Sequence, residues 1–311
     1  MNISLNTTSL NRRRFLGVLG VGASVSALSA CGISGETAFG TGTLGGPIIV
    51  GSADFPESQI IAEIYAAALN QRGISAETRP AIGAREAYIG ALQEGSVGVV
   101  PDYSGNLLLY FDAQSTAVTA EEIIAALPQA LGETLAALKP STAENKDSMV
   151  ITSQTAQKLG LRSLDNLSEH NRQLVLGAPP EFAERGYGLP GLEKNYGFTP
   201  QSFEPINDGG GPLTVKALLD DQVQIADLFS TDPAIIANDL VVLEDPKNNF
   251  LPQQVLPVIN GELVSYAAAQ VLNEVSAVLT TEDLIALNTR VSGEEKANPA
   301  TAAQDWVGEK L

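Results

Sequence analysis

The chain has 311 residues, 44% of them hydrophobic, with 36 acidic against 18 basic side chains and a formal charge of −18. This composition fits an ordinary folded body rather than a disordered or polytopic membrane chain, and the acidity speaks against nucleic acid as a partner, because a phosphate backbone demands a basic surface. A single cysteine and a single histidine leave no disulfide framework and all but exclude a catalytic triad or a histidine-rich metal site, so no metal or other cofactor is expected.

The chain opens as a targeting segment. A polar start is followed by Arg12-Arg13-Arg14 and by an apolar stretch from Phe15 to Ala30 that closes on small residues, the order of an export signal. Asn11-Arg12-Arg13-Arg14-Phe15-Leu16 resembles the twin-arginine signature. The apolar stretch, broken by Gly17, Gly20 and Gly22, falls short of the roughly 20 residues a spanning helix needs. Cys31, in Leu28-Ser29-Ala30-Cys31-Gly32, stands where a bacterial lipoprotein signal is cleaved and lipidated, and acylation of its thiol and new amino terminus would supply the two membrane signals that stable anchoring requires. Removal of residues 1–30 discards three basic residues and no acidic one, leaving a formal charge of −21.

Residues 31–46 are glycine-rich and read as a flexible tether. The folded body begins near Pro47 and is long enough for two lobes. Strands and helices alternate through it, which predicts an α/β architecture. Ile48-Ile49-Val50 reads as a buried strand, and Ile60, Ile61, Ile64, Tyr65 and Leu69 give residues 57–71 helical spacing, ended by Gly73. Further strands are expected at 74–79, 97–100, 150–151, 174–176, 223–226 and 241–243, with helices over 83–94, 214–219 and 232–238. With no internal repeat or second linker, the chain is expected to cross between the lobes more than once.

No enzymatic constellation emerges. His170 lies in a polar segment, and Asp208-Gly209-Gly210-Gly211-Pro212 lacks the Gly-Lys-Ser/Thr ending of a phosphate loop and reads as a turn or hinge-adjacent loop. The stronger signals are polar and aromatic residues at the ends of predicted strands, where α/β folds build ligand clefts. Val99-Val100-Pro101-Asp102-Tyr103-Ser104-Gly105-Asn106, Pro179-Pro180-Glu181-Phe182-Ala183-Glu184-Arg185 and Ala226-Asp227-Leu228-Phe229-Ser230-Thr231-Asp232 repeat this arrangement. Each has a packing alternative: Tyr103 in the core, Arg185 in a surface ion pair, Asp232 as a helix cap. Three such ends in one chain favour a ligand site.

Those stretches, with Val50-Gly51-Ser52-Ala53-Asp54-Phe55, Gly188-Leu189-Pro190-Gly191-Leu192 and Leu243-Glu244-Asp245-Pro246-Lys247, resemble the substrate-binding proteins of ABC transporters for glycine betaine, carnitine and choline. The resemblance covers nearly all of residues 47–311. It implies a type II periplasmic-binding-protein fold: two α/β lobes, residues 47–146 with 253–311 and residues 147–252, joined by a two-stranded hinge. It also implies a monomeric, non-enzymatic solute-binding lipoprotein on the outer face of the cytoplasmic membrane, anchored through Cys31 and delivering a compatible solute to an ABC permease. In such proteins a quaternary ammonium group rests on aromatic faces while an arginine and polar groups hold a carboxylate. Carried over, Tyr103 and Phe229 would be cage walls, Asn106 a polar contact and Arg185 the carboxylate clamp, with Phe55, Ser104, Asp147, Thr231 and Asp232 completing the expected ligand-binding set.

The departures bear on specificity. The family often carries a lysine at Ala53, an aromatic at Asp147, a Pro-Tyr pair at Gln253-Gln254 and a tyrosine at Phe229. Two missing ring faces, each contributing about 0.5–2 kcal/mol, would weaken a betaine site by an order of magnitude or more. Asp147 could instead meet a ligand cation directly, or the pocket could serve another small polar or aromatic solute. A lipid-anchored receptor using the same cleft is the main alternative to transport, and an envelope enzyme the weaker one.

Overall fold

Two five-stranded sheets organise residues 46–311, which this computed structural model describes; the export segment, Cys31 and all but the last residue of the tether lie outside the described residues. In chain order the first part contains β1 (Ile48–Gly51), α1 (Pro56–Gln71), β2 (Ala76–Arg79), α2 (Arg85–Gln93), β3 (Val99–Tyr103), α3 (Ser104–Phe111), α4 (Ala120–Leu131) and β4 (Leu135–Ala137). The chain then crosses into β5 (Asp147–Thr152), α5 (Ser153–Leu159), β6 (Val175–Ala178), α6 (Leu189–Tyr196), β7 (Ser202–Pro205), α7 (Pro212–Leu219), β8 (Ile225–Phe229), α8 (Pro233–Ala237) and β9 (Leu240–Val242). It returns through β10 (Val255–Asn260), α9 (Tyr266–Val278), α10 (Thr281–Ser292) and α11 (Pro299–Lys310).

The strand orders are β2-β1-β3-β10-β4 and β7-β6-β8-β5-β9. Each sheet has three parallel strands followed by one antiparallel strand, β10 in the first and β5 in the second. Both antiparallel strands directly follow a crossing between the lobes. The two crossings run side by side, with Asn145 N–H donating to the Gln253 carbonyl at 3.2 Å, Val255 N–H to the Ala143 carbonyl at 3.0 Å, and an antiparallel bridge between Glu144 and Gln254. The result is two α/β lobes on a two-stranded hinge, as expected.

Local chemistry explains the scaffold. Pro56 opens α1, where its missing N–H is harmless, and Gly73 at φ +76° takes the left-handed turn that follows the helix. The predicted stripe Ile60, Ile61, Ile64, Tyr65 and Leu69 is buried and packs with Ala302, Ala303 and Trp306 of α11. On the other face of the first sheet, Ile89, Leu92, Leu107, Leu108, Ile123 and Leu127 form a second apolar layer. The second sheet likewise has a cluster around Leu176, Phe182, Leu192, Phe198 and Ile225 and another around Val215, Leu218, Val223 and Leu228.

Three strands lie further along the chain than the apolar runs predict. The run 97–100 becomes 99–103, 174–176 becomes 175–178, and 223–226 becomes 225–229. β3 and β8 continue through polar or aromatic residues, Asp102, Tyr103, Asp227 and Phe229, at the space between the lobes, and hydrophobicity alone stops too early; β6 is extended by the small residues Gly177 and Ala178. Among the described residues, no helix is long and apolar enough to cross a membrane.

Candidate functional site

β3 and β8 aim their C-terminal ends at the same space. Tyr103 and Asp102 end β3, Asp227 and Phe229 end β8, and Asp147 begins β5, directly opposite Phe229 in the antiparallel ladder. Asp227 pairs in register with Met149, two residues along from Asp147, so the two acids occupy diagonal positions on one face of the second sheet. Together with the helix starts after β1, β3 and β6, these ends enclose a cavity of about 70 Å³. The first lobe contributes Phe55, Arg85, Tyr88, Tyr103 and Asn106; the second contributes Glu181, Phe182, Arg185, Tyr187, Asp227 and Phe229; Asp147 stands where the hinge enters the second sheet.

The aromatic part is a partial stack. Phe55 lies 5.0 Å from Phe229 and 6.1 Å from Tyr103, centroid to centroid, with the rings tilted by 42° and 33°. Phe182 and Tyr187 meet edge to face at 6.3 Å. Gly209, at φ +63°, lets the glycine-rich loop before α7 reach Phe55, since a Cβ there would come within 2.8 Å of the Phe55 Cβ. The loop is therefore part of the cleft wall.

The polar part divides by lobe. On the first lobe, Arg85 and Tyr88 lie at i and i+3 of α2, on one helix face, and both bind Asp102. Arg85 Nη2 donates to Oδ1 at 2.8 Å, Tyr88 Oη to Oδ2 at 2.9 Å, and the Tyr103 N–H to Oδ1 at 2.7 Å. Behind the cavity, the Glu57 carboxyl, buried at the start of α1, accepts four hydrogen bonds. Tyr103 Oη and Asn145 Nδ2 each donate at 2.7 Å, Asn288 Nδ2 at 2.6 Å and Thr231 Oγ1 at 2.5 Å. Glu57 thus ties the first lobe to the hinge and to the second lobe. Burial pushes the Tyr103 and Tyr88 hydroxyls well above their ordinary range, and the neighbouring Glu57 and Asp102 act in the same direction, so both tyrosines are hydrogen-bond donors at any physiological pH.

On the second lobe the acids are less completely served: the two carboxyls hydrogen-bond each other, and Ser148 N–H reaches Asp227. Asp147 accepts from Asn106 Nδ2 at 2.8 Å, and Gln253 holds that amide by donating to Asn106 Oδ1 at 2.5 Å while accepting from its N–H at 3.0 Å. Asp227 is 3% exposed, and no donor reaches its Oδ1. Burial raises the pKa of both carboxyls, and Asp227 is raised further by Asp147 beside it. At the outer rim Arg185 pairs with Glu86 of the first lobe at 2.7 Å and stands 5.9 Å from the Tyr110 ring centroid. Its Nε is buried without a partner.

Six of the expected site residues therefore line the cavity: Phe55, Tyr103, Asn106, Asp147, Arg185 and Phe229. Three occupy places outside its lining. Ser104 donates to the Pro252 carbonyl and accepts from Gln254 N–H, clasping the hinge; Thr231 binds Glu57; Asp232 caps α8 by accepting from Ala234 N–H at 2.8 Å. Arg185 combines its pocket position with the ion pair that was its alternative. Arg85, Tyr88, Tyr187 and Glu57 escaped the sequence reading. The spacing of Arg85 and Tyr88 on one helix face was a usable signal, but their common partner Asp102 comes from another element.

A larger groove of about 1000 Å³ opens beyond Phe55 and Phe229, between α7, α8 and α10. Its walls include the exposed Ile236 and Leu219, and Glu57, Thr231 and Asn288 belong to its lining, hydrogen-bonded to one another but with Asn288 Oδ1 left without a donor. The smaller cavity, whose unpartnered wall atoms belong to charged side chains, Arg185 Nε and Asp227 Oδ1, is the chemically better candidate.

Residues 46–309 match the family described as the substrate binding domain of ABC-type glycine betaine transport systems. The glycine betaine-binding protein YehZ of Escherichia coli (strain K12) is 27% identical over 277 residues, 85% of this chain and 90% of that protein. The carnitine transport binding protein OpuCC of Listeria monocytogenes serotype 1/2a (strain 10403S) is 23% identical over 287 residues, 90% and 91% of the two chains. In fold, the chain is similar to a crystal structure of a glycine betaine/carnitine/choline ABC transporter, with a TM-score of 0.66 at 24% identity over 84% of this chain and 98% of that one. Matched over nearly its whole folded body, the chain belongs to the family of substrate-binding domains of ABC-type glycine betaine transport systems.

Proposed function

We propose that this solute-binding protein captures a compatible solute of the betaine, choline or carnitine class between its lobes and presents it to an ABC permease. The observation that carries the reading is the division of the cavity wall. Aromatic rings and two acids that pair with no cation among the described residues form one part of it, and a buried, unpartnered arginine nitrogen stands in another. A cation finds ring faces and negative charge at the first position, and a carboxylate finds a charged donor at the second. The bodies that close over the ligand are residues 47–146 with 253–311 and residues 147–252, moving about the paired crossings.

Lipidation at Cys31, after export by the twin-arginine route, would hold a monomeric capture module beside its permease on a glycine-rich leash. Calorimetric titration with glycine betaine and its relatives tests the site. Tyr103→Ala and Arg185→Ala should each abolish measurable binding, and unchanged affinity in both variants would remove the assignment. Cys31→Ala should release the protein from membranes with ligand affinity retained.

A further inference from the structure

The two acids of the second lobe lie diagonally across the β5–β8 ladder, and among the described residues neither forms an ion pair with an arginine. Arg85 is held by Asp102, with its side chain 10% and that of Asp102 0% exposed. Arg185 is held by Glu86. Asp147 receives one amide hydrogen from Asn106; the two carboxyls hydrogen-bond each other and Ser148 N–H reaches Asp227, yet Asp227 Oδ1 has no donor among the described residues. Glu181, half-buried in the same wall, adds negative charge without adding a hydrogen. A buried oxygen left without a donor is expensive, and this one borders the ligand cavity.

Resting on the proposed reading of the cleft as a site for betaine-class solutes, zwitterions that pair a cation with a carboxylate, we propose that the Asp147–Asp227 pair binds a ligand cation that carries at least one N–H more tightly than its fully methylated counterpart. A quaternary ammonium brings charge but no hydrogen. It would exclude water from Asp227 Oδ1 and leave that oxygen unbonded. A protonated tertiary amine brings the same charge, donates its single N–H to the pair, and keeps two alkyl groups to lay on Phe55, Phe229 and Tyr103. The carboxylate of such a ligand would point the other way, toward Arg185 Nε, which has no acceptor. The missing acceptor at one end and the missing donor at the other are complementary to a single zwitterion.

The N-methylation series of glycine separates hydrogen-bond donation from charge. Glycine, sarcosine, N,N-dimethylglycine and glycine betaine share one carboxylate and one positive charge, and only betaine lacks an N–H. Isothermal titration of the full chain at neutral pH should show affinity rising with methylation as far as dimethylglycine and then falling roughly tenfold or more at betaine, the size of one charged hydrogen bond. Asp227→Asn and Asp147→Asn, each checked for folding by circular dichroism, should bring the dimethylglycine-to-betaine ratio close to one. Betaine binding as tightly as dimethylglycine or tighter in the wild type would overturn the N–H assignment while leaving the zwitterion reading intact. The same holds for a preference unchanged in both variants. Failure of all four compounds to bind would overturn the zwitterion reading and this assignment with it.

Discussion

The two lobes bury their acids differently. Glu57 and Asp102, on the first lobe, are surrounded by donors: four side-chain hydrogen bonds reach Glu57, and an arginine, a tyrosine hydroxyl and a backbone N–H reach Asp102. Asp147 and Asp227, on the second, have the Asn106 amide, the Ser148 N–H and a hydrogen bond to each other, and keep a carboxyl oxygen that no donor reaches among the described residues. Burial is similar, since Glu57, Asp102, Asp147 and Asp227 are all at most 7% exposed. What differs is satisfaction. A saturated buried acid holds structure together, whereas an unsatisfied one carries a debt that a ligand can settle.

The largest effect should come from breaking the saturated side. Glu57→Ala removes one acceptor from four buried donors contributed by β3, the hinge, the start of α8 and α10. We expect a loss of about 3–5 kcal/mol in denaturant unfolding, the range for breaking a buried charged network, and a smaller loss for Glu57→Gln, which keeps one acceptor oxygen. Equal, small losses for both variants would mean that the donors find other partners and that Glu57 is no keystone.

Asp102→Leu should cost somewhat less, about 3 kcal/mol, because it strands the Arg85 guanidinium in a buried setting. The double variant Asp102→Leu with Arg85→Met should recover more than half of that loss, since it removes both charges together. A double variant as unstable as the sum of its parts would show that packing around Asp102, and not the charge pair, sets the energy.

Periodicity and punctuation made much of the scaffold legible. The stripe of α1 and its termination at Gly73 follow from local rules, and so does the turn at Asp208–Pro212, where Asp208 accepts from Leu213 and Thr214 N–H. Strand ends were the weak point. Asp102, Asp227 and Phe229 extend their strands beyond the apolar runs because the cleft, not the core, determines those positions. The sequence also pointed to Tyr103, Arg185 and Phe229 as residues at strand ends, yet could not pair them with partners from distant elements. That Arg85 binds Asp102, that Glu57 gathers four donors and that Asp227 has an unserved oxygen are facts of three-dimensional arrangement. The helices α9–α11 are hard to read from the sequence for a related reason: they bury many small residues such as Ala268, Ala269, Ala302 and Ala303, which give little hydrophobic contrast along the chain.

The smallest effect has the opposite sign and tests the unsatisfied side directly. Burial and the adjacent Asp147 hold the Asp227 pKa well above the usual carboxylate range, so the folded chain binds this proton more tightly than the unfolded chain, where an aspartate titrates near about 4. The stabilising contribution is therefore complete below that unfolded value and is lost as pH rises through the folded one. Asp227→Asn has no proton to lose, and its amide can donate to Asp147. Thermal melts without ligand should find the variant gaining on the wild type as pH rises from about 4 to 8, by roughly 1 kcal/mol, or about 2–4 °C, at the upper end. Parallel pH profiles would mean that Asp227 is satisfied in solution and that the contrast between the lobes is false. A variant that is more stable yet has lost its preference for an N–H cation would place the strain at Asp227 among those that proteins keep at functional sites because binding relieves them.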